Sequence, residues 1–493
     1  MPCLIAAPSS GSGKTLLSLS LAALAKQRGL KLQPFKVGPD YLDPQLLSRV
    51  SGLPCRNLDP LLCGAAWVER SFQWHGSRAD LALVEGVMGL FDGLGSSSQG
   101  SSAAVAAQLE LPVVLVVEAS RQAGSLAALV RGFRDHGLEM GPRPVQLAGV
   151  VLNRVGSARH RLLLTEALAS IAVPLLGVLP NAAALELPSR HLGLHPPHEL
   201  EDLERRQAEW AALAEQHLDL ERLWPLLAPP AAPADPVDPI PWCLRQVPAG
   251  GVSAGRPSHQ EPLPIAVASD AAFHFRYPEA GELLEALGVQ PIPWSPLADE
   301  PLPEGSRGVL LPGGYPELHA GQLAASQRSL HALRNARTQG LPIAAECGGL
   351  LLLGQSLQDP LGVDHAMAGV LPFSAARGGL SLGYRQATAS GDGLLVRRGE
   401  TVWAHEFHRW QLQPWLGSSE RLWQVEGWGV ASRLEGWTAA NVHASWLHLH
   451  WAGCPAIPSR LAAACGRAAT RPAHAASSSP ANPAPRRPLS AGV

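Results

Sequence analysis

The chain has 493 residues, too many for one ordinary core, so two or three domains are expected. Its formal net charge is -2 with 16% charged residues, which excludes whole-molecule attraction to nucleic acid or to an anionic membrane. The seven cysteines form no C-x-x-C pair, and aliphatic runs such as Leu111 to Val117 are too short to span a bilayer, so a reduced, cytoplasmic protein without a cysteine zinc site or membrane span is expected.

The first element is a short apolar strand, Leu4-Ile5-Ala6-Ala7, running into Pro8-Ser9-Ser10-Gly11-Ser12-Gly13-Lys14-Thr15 and then a helical pattern from Leu16 to Gly29. Strand, glycine-rich turn and helix make a phosphate-binding loop. The backbone N–H groups of Gly11, Ser12 and Gly13 turn toward one anion, Lys14 neutralises phosphate oxygens, and the Thr15 hydroxyl suits Mg²⁺. Pro8 stands where the standard pattern has glycine, so the loop is a variant, and a nucleoside triphosphate is the expected ligand.

A strand at Leu32 to Val37 exits into Gly38-Pro39-Asp40-Tyr41-Leu42-Asp43-Pro44, a turn rich in carboxylates. Ligands of open α/β sheets collect at such carboxyl ends, although a solvated turn reads the same way locally. Leu81 to Val84 forms a buried strand ending in Glu85, followed by Phe91-Asp92-Gly93. Glu85 is placed to hold Mg²⁺ opposite Thr15; a helix cap is the weaker reading because a glycine-rich loop follows. Pro112 to Val117, Gly149 to Leu152 and Leu175 to Leu179 supply further strands. Asn153, at the end of one, could read an adenine edge or simply make a turn. Alternating strands and helices predict a P-loop, doubly wound parallel sheet over 1–227.

Residues 228–263 are rich in Pro, Ala and Gly and are expected to be a semi-rigid linker. A second α/β pattern covers 264–455, and the Ala/Pro/Ser/Arg-rich end, 456–493, is expected to be a disordered tail. Within the second domain, Gly308 to Leu311 opens into Pro312-Gly313-Gly314, a turn able to aim N–H groups at an oxyanion. Pro342-Ile343-Ala344-Ala345-Glu346-Cys347-Gly348-Gly349 places a thiol on a strand-to-helix elbow, where a helix dipole would lower its pKa and make Cys347 a nucleophile rather than a small buried residue. The base lies among His443, His448 and His450; alternation puts His448 and His450 on one face of a strand, and spacing does not choose between the candidates. His405-Glu406-Phe407-His408 fits no common zinc spacing and is read as structural or site-lining.

Taken together, the phosphate loop, Gly38–Pro44, Glu85–Asp92, Ala345–Gly349 and Ala444–His448 resemble the cobyrinic acid a,c-diamide synthase family over about residues 1–455. The resemblance implies a dethiobiotin-synthetase-like ATP domain fused to a class I glutamine amidotransferase domain. It also implies Cys347 as glutaminase nucleophile and His448 as base, with Trp446 in place of the family's Tyr and no third triad member. Asp40, Tyr41, Leu42, Glu85 and Asp92 fall on positions tied to corrinoid or metal handling, and backbone at Gly314 and Gly348 is the expected oxyanion site. The implied reaction is ATP- and glutamine-dependent amidation of the a and c carboxylates of cobyrinic acid through acyl phosphates, with a corrinoid acid, L-glutamine and ATP as partners; a homodimer is compatible with it. Hydrogenobyrinic acid and nickel sirohydrochlorin are alternative acceptors. A partition-type ATPase switch with an inert amidotransferase-like domain is the alternative of another class.

Overall fold

The structure, a computed structural model, describes residues 1–139, 143–181, 189–190, 193–194, 196–200, 202–247, 261–413 and 421–470. The part of the expected tail beyond 470 and most of the expected linker after 247 lie outside these residues.

The first sheet holds β1 (Leu4–Ala6), β2 (Leu32–Val37), β3 (Arg56–Leu58), β4 (Leu81–Glu85), β5 (Val113–Glu118), β6 (Leu147–Val155) and β7 (Leu175–Pro180), in the order β3-β2-β4-β1-β5-β6-β7. Every pairing in it is parallel. Strands such as Val113-Val114-Leu115-Val116-Val117 are apolar at successive positions because helices cover both faces of a parallel sheet. The helix Lys14–Gln27 buries Leu17, Leu19, Leu21 and Leu24 on one such face, and Gly29, at φ 71°, ends its turn. A two-stranded piece, β8 (Ser189–Arg190) and β9 (Gly193–Leu194), follows.

The second sheet is mixed. Its parallel part is β10 (Leu263–Ala268), β11 (Val289–Trp294), β12 (Val309–Leu311) and β13 (Ile343–Glu346), in the order β11-β10-β12-β13. The rest comprises β14 (Ser356–Gln358), β15 (Asp364–Ala366), β16 (Ser374–Ala389), β17 (Thr401–Gln413), β18 (Arg421–Gly427), β19 (Val430–Ala439) and β20 (Val442–Ser445). β20 pairs parallel with β13 and antiparallel with β19, and so joins the parallel and antiparallel parts. The antiparallel extension has no signature in the α/β alternation.

Three expectations need correction. The linker contains a helix, Pro239–Leu244, opened by Pro at its first turn and capped by Asp238, whose Oδ1 accepts from Ile240 N at 2.9 Å. It buries Cys243 and sets Trp242 under the Arg70 guanidinium at 4.7 Å, so this stretch is packed rather than a free tether. Residues 456–470, expected in the tail, form a helix, Ala456–Thr470, whose Ile457, Leu461 and Cys465 join the core of the second half; its alanines are good helix formers, and its apolar residues give it a face to bury. Finally, His448 and His450 are not on a strand, because β20 ends at Ser445. Among the described residues no helix is long and apolar enough to cross a membrane.

Candidate active site

The phosphate loop leaves β1 and enters the helix at Lys14, with Gly13 at φ 110°. Asn153, from the end of β6, lies so close to Gly13 that a Cβ there would meet its Nδ2 at 2.2 Å, so only glycine fits. Asn153 donates to Ser12 O at 3.0 Å and accepts from Arg154 N at 3.0 Å. These two bonds brace the loop and leave the amide one further N–H and one further lone pair, enough to meet an adenine edge. Lys14 Nζ reaches Met88 O at 2.7 Å, and burial, aided by nearby Lys36, brings its pKa down to about 8.

Register explains the charge cluster below the loop. β2 and β4 run side by side with Lys36 opposite Glu85. Lys36 Nζ lies 2.6 Å from Asp43, 2.8 Å from Glu85 Oε1 and 3.9 Å from Asp40. Burial alone would depress the lysine, but these three carboxylates outweigh it and push its pKa up. Asp40 is raised to about 7 by burial and by Asp43, whereas Asp43 itself is held low by Lys36. Thr15 Oγ1 donates to Glu85 Oε1 at 2.9 Å, and the second oxygen, Oε2, is buried with no partner. An unpartnered carboxylate oxygen beside the loop threonine fits a Mg²⁺ ligand set. Asp40 Oδ1 also accepts from Leu42 N at 2.9 Å and starts the helix Leu42–Ser51. Asp92 Oδ2 accepts from Gly89 N at 2.8 Å and holds the turn that lies against Pro8.

The second half brings up the thiol. Cys347 adopts φ 47° and ψ −107° between β13 and the helix Gly348–Leu352, a strained elbow that a following glycine makes room for. A Cβ on Gly348 would stand 2.9 Å from Gly314 N, so the two expected oxyanion glycines are adjacent, and both line a narrow pocket with Cys347. The expected acidic thiol is not what the surroundings produce. Burial, with Glu317 nearby, pushes the Cys347 pKa up, and a five-residue helix does not offset that.

His448 enters by pairing with His405: each backbone N–H donates to the other's carbonyl, at 3.0 and 2.8 Å. Its ring packs against Gly313, where a Cβ would meet Cε1 at 2.4 Å, and burial brings its pKa down to about 3. The imidazole is therefore neutral and able to accept a proton. His450, by contrast, faces Glu279 at 3.6 Å and Tyr277 at 4.5 Å, and His443 packs edge-on to Trp423. Only His448 of the three lines the cavity that both halves share.

That cavity, of about 480 Å³, is bounded by Asp40, Tyr41, Leu42 and Asp43 from the first half and by Tyr384, His405 and His448 from the second. Phe275, Tyr315 and Phe407 line both it and the thiol pocket and form the wall between them. Tyr41 stacks on Phe275 at 5.2 Å and packs at a tilt against Tyr277 at 4.5 Å. Around this wall the halves are locked: Arg56 binds Glu282 at 2.6 Å and Glu279 at 3.3 Å, Tyr384 OH donates to Asp59 at 2.8 Å, and Tyr277 OH donates to Pro39 O at 3.2 Å.

Two buried residues escaped the sequence reading. Lys36 meets Glu85 only through the register of β2 against β4, which no single stretch of sequence carries. Glu435 on β19 accepts from Ser445 Oγ at 2.7 Å and Trp446 N at 2.7 Å, which fixes the turn leading to His448. Burial raises its pKa to about 7. No local motif marks it. The His405–His408 segment is structural and site-lining, as expected: Glu406 is held by Arg385 at 2.7 Å and His408 at 2.9 Å, and the His408 ring stacks on Trp446 at 3.8 Å.

A phosphate loop backed by carboxylates, joined through an aromatic wall to a thiol elbow with a neutral histidine, defines a glutamine amidotransferase fused to a nucleotide-binding ligase domain. Residues 3–194 match the CobQ/CobB/MinD/ParA nucleotide binding domain, and 264–455 match the CobB/CobQ-like glutamine amidotransferase domain. A cobyrinate a,c-diamide synthase of Gloeobacter violaceus is 44% identical over 454 residues, 92% of this chain and 94% of that protein. A protein of the same name from Synechococcus is 40% identical over 473 residues, covering 95% and 99%. A hydrogenobyrinate a,c-diamide synthase of Streptomyces coelicolor is 42% identical over 491 residues, covering 94% and 96%. The chain belongs to the cobyrinate a,c-diamide synthase family, a family of ligases with a glutamine amidotransferase domain.

Proposed function

We propose that this chain amidates the a and c carboxylates of cobyrinic acid, in the cytoplasm, with ATP as activator and glutamine as nitrogen donor. The observation that carries the reading is the single cavity that joins the carboxylate cluster at Asp40 and Asp43 to His448 beside the thiol pocket. A carboxylate anion resists ammonia because oxide is too poor a leaving group. Lys14 and the N–H groups of Gly11, Ser12 and Gly13 hold the triphosphate so that the acceptor carboxylate attacks the γ-phosphorus, ADP departs and an acyl phosphate forms. Ammonia then adds at the acyl carbon and phosphate leaves. Thr15 and Glu85 Oε2 would hold Mg²⁺, which supplies charge neutralisation on the phosphates.

The ammonia comes from glutamine. Cys347 Sγ attacks the side-chain amide carbon, His448 takes the thiol proton and returns it to the departing ammonia, and N–H groups at Gly348 and Gly314 face the oxyanion. Water then releases glutamate from the thioester. With the thiol raised and the imidazole neutral, no thiolate–imidazolium pair stands in the free protein, and the proton moves only as Sγ attacks.

The relative named for hydrogenobyrinate supports a second acceptor, the same ring without its metal. The test is mass spectrometry of products with each acid, ATP and glutamine. Two successive amides with stoichiometric ADP are expected. ATP hydrolysis that ignores both acids would falsify the ligase reading in favour of a switch. Cys347→Ala should lose glutamine-dependent amidation while retaining synthesis from ammonium chloride; loss of both would sink the division of labour.

A further inference from the structure

Single exposed leucines are ordinary on a protein surface, but a group of them converging on one cavity is not. Among the described residues eleven large apolar side chains are exposed, and three of them, Met88 at 42%, Leu380 at 45% and Leu382 at 53%, line the cavity between the halves. A fourth, Trp428, is 70% exposed and lies over Gly95, which lines the same cavity; a Cβ on Gly95 would meet its ring at 2.5 Å.

The backbone accounts for their exposure. β16 carries Gly378, Gly379 and Gly383, and its pairing with β17 slips between Arg377 and Ser381, which turns Leu380 and Leu382 out of the core. Trp428 sits at the tip of the β18–β19 hairpin, whose Gly427 rests on Tyr384, a cavity residue. Met88 comes from the opposite half, at φ 47°, with its carbonyl accepting from Lys14. Apolar side chains from two domains thus rim a cavity whose floor carries Asp40, Asp43 and Tyr41.

We propose that Leu380, Leu382 and Trp428 of the amidotransferase half, with Met88 of the ATP half, form an apolar platform for one face of the tetrapyrrole ring. The inference rests on the acceptor assigned above. A corrin-ring acid presents a broad, largely hydrocarbon macrocycle whose carboxylates sit on flexible chains attached around its periphery. A platform under the face leaves the edge free to swing one carboxylate, then another, toward Lys14. The amidotransferase half is then a part of the acceptor site and not only a source of ammonia. A platform without directional hydrogen bonds also suits two turnovers on one ring, because the ring must rotate between them.

The test is steady-state kinetics of the full chain with Leu380→Ser/Leu382→Ser and, separately, Trp428→Ala, using cobyrinic acid and hydrogenobyrinic acid as probes. The KM for the acid should rise about tenfold per leucine lost, with the KM values for ATP and glutamine held. An unchanged acid KM in both variants overturns the platform. So does a change of sedimentation from dimer to monomer with no change in acid KM, since the patch would then be a contact between copies. If the wild-type chain amidates neither acid, the functional reading itself fails; if it does and the variants match it, only the platform fails.

Discussion

The Tyr41 ring of the ATP half and the His448 imidazole of the amidotransferase half lie with centroids 5.2 Å apart. Tyr41 immediately follows Asp40 in the carboxylate turn, so the turn proposed to face the acceptor also touches the histidine proposed as the glutaminase base.

Glu435 holds the turn that leads to His448. Glu435→Ala removes the acceptor for Ser445 Oγ and Trp446 N, and glutamine-dependent amidation should fall by up to about a hundredfold while ammonia-dependent amidation persists. Glu435→Gln should restore most of it. The same carboxyl has a stability signature. Its native pKa of about 7 lies above its ordinary 4.5, so the native state binds the proton more tightly than the unfolded chain. Stability contributed by this group then falls as pH rises from about 4.5 to about 7 and is level beyond; because Asp40 is raised in the same window, urea unfolding should find the slope shallower, not absent, in Glu435→Gln.

Lys36→Gln tests the charge cluster. It would leave Glu85 and Asp43 facing each other with their shared cation gone, and loss of one partner from a buried ion pair costs about 3 kcal/mol. Denaturant titration of the first half's transition should register this loss. A change under about 0.5 kcal/mol, the range of ordinary surface substitutions, would show that the pairing contributes nothing.

The thiol makes a chemical prediction. With its pKa raised, Cys347 in the free protein holds little thiolate at neutral pH, so its alkylation by iodoacetamide should accelerate by about tenfold per pH unit through pH 9. Peptide mapping separates it from the other six cysteines, all buried. A rate already level at pH 7 would mean an acidic thiol instead.

Arg56 carries the lock between halves. Arg56→Ala strands the buried Glu279 and releases Glu282, which should loosen the docking and raise the glutamate formed per amide severalfold, as ammonia escapes. The measurement is the ratio of glutamate to diamide at saturating substrates; an unchanged ratio removes Arg56 from the coupling.

What could be read from the sequence was what sits in contiguous stretches: Gly11 to Thr15, Gly38 to Pro44, and Glu346 to Gly349 each carry their turn chemistry and their reactive groups within a few residues. The rest depends on register and docking. Lys36 and Glu85 meet because two strands separated by a crossover align side by side, and Glu435 reaches Ser445 across a hairpin. Asn153 was visible as a polar residue at a strand end, yet its bond to Ser12 belongs to a contact 141 residues apart. The resemblance singled out His448 over His450, while spacing alone did not; the bridge from His448 to His405 and the convergence of Phe275, Tyr315 and Phe407 come from separate stretches of the second half that only the fold brings together.

The helix Ala456–Thr470 sets where the catalytic body ends. Its Cys465 fills the space above Gly308, where a Cβ would meet the sulfur at 2.8 Å, and Arg460 grips Glu400 at 2.6 Å beside the strands that carry His405. A chain cut at 455, where the amidotransferase match stops, would strip this buttress from the back of β10 and β12 while sparing every reactive group. Any attempt to trim the protein to its active minimum should therefore keep the chain through residue 470.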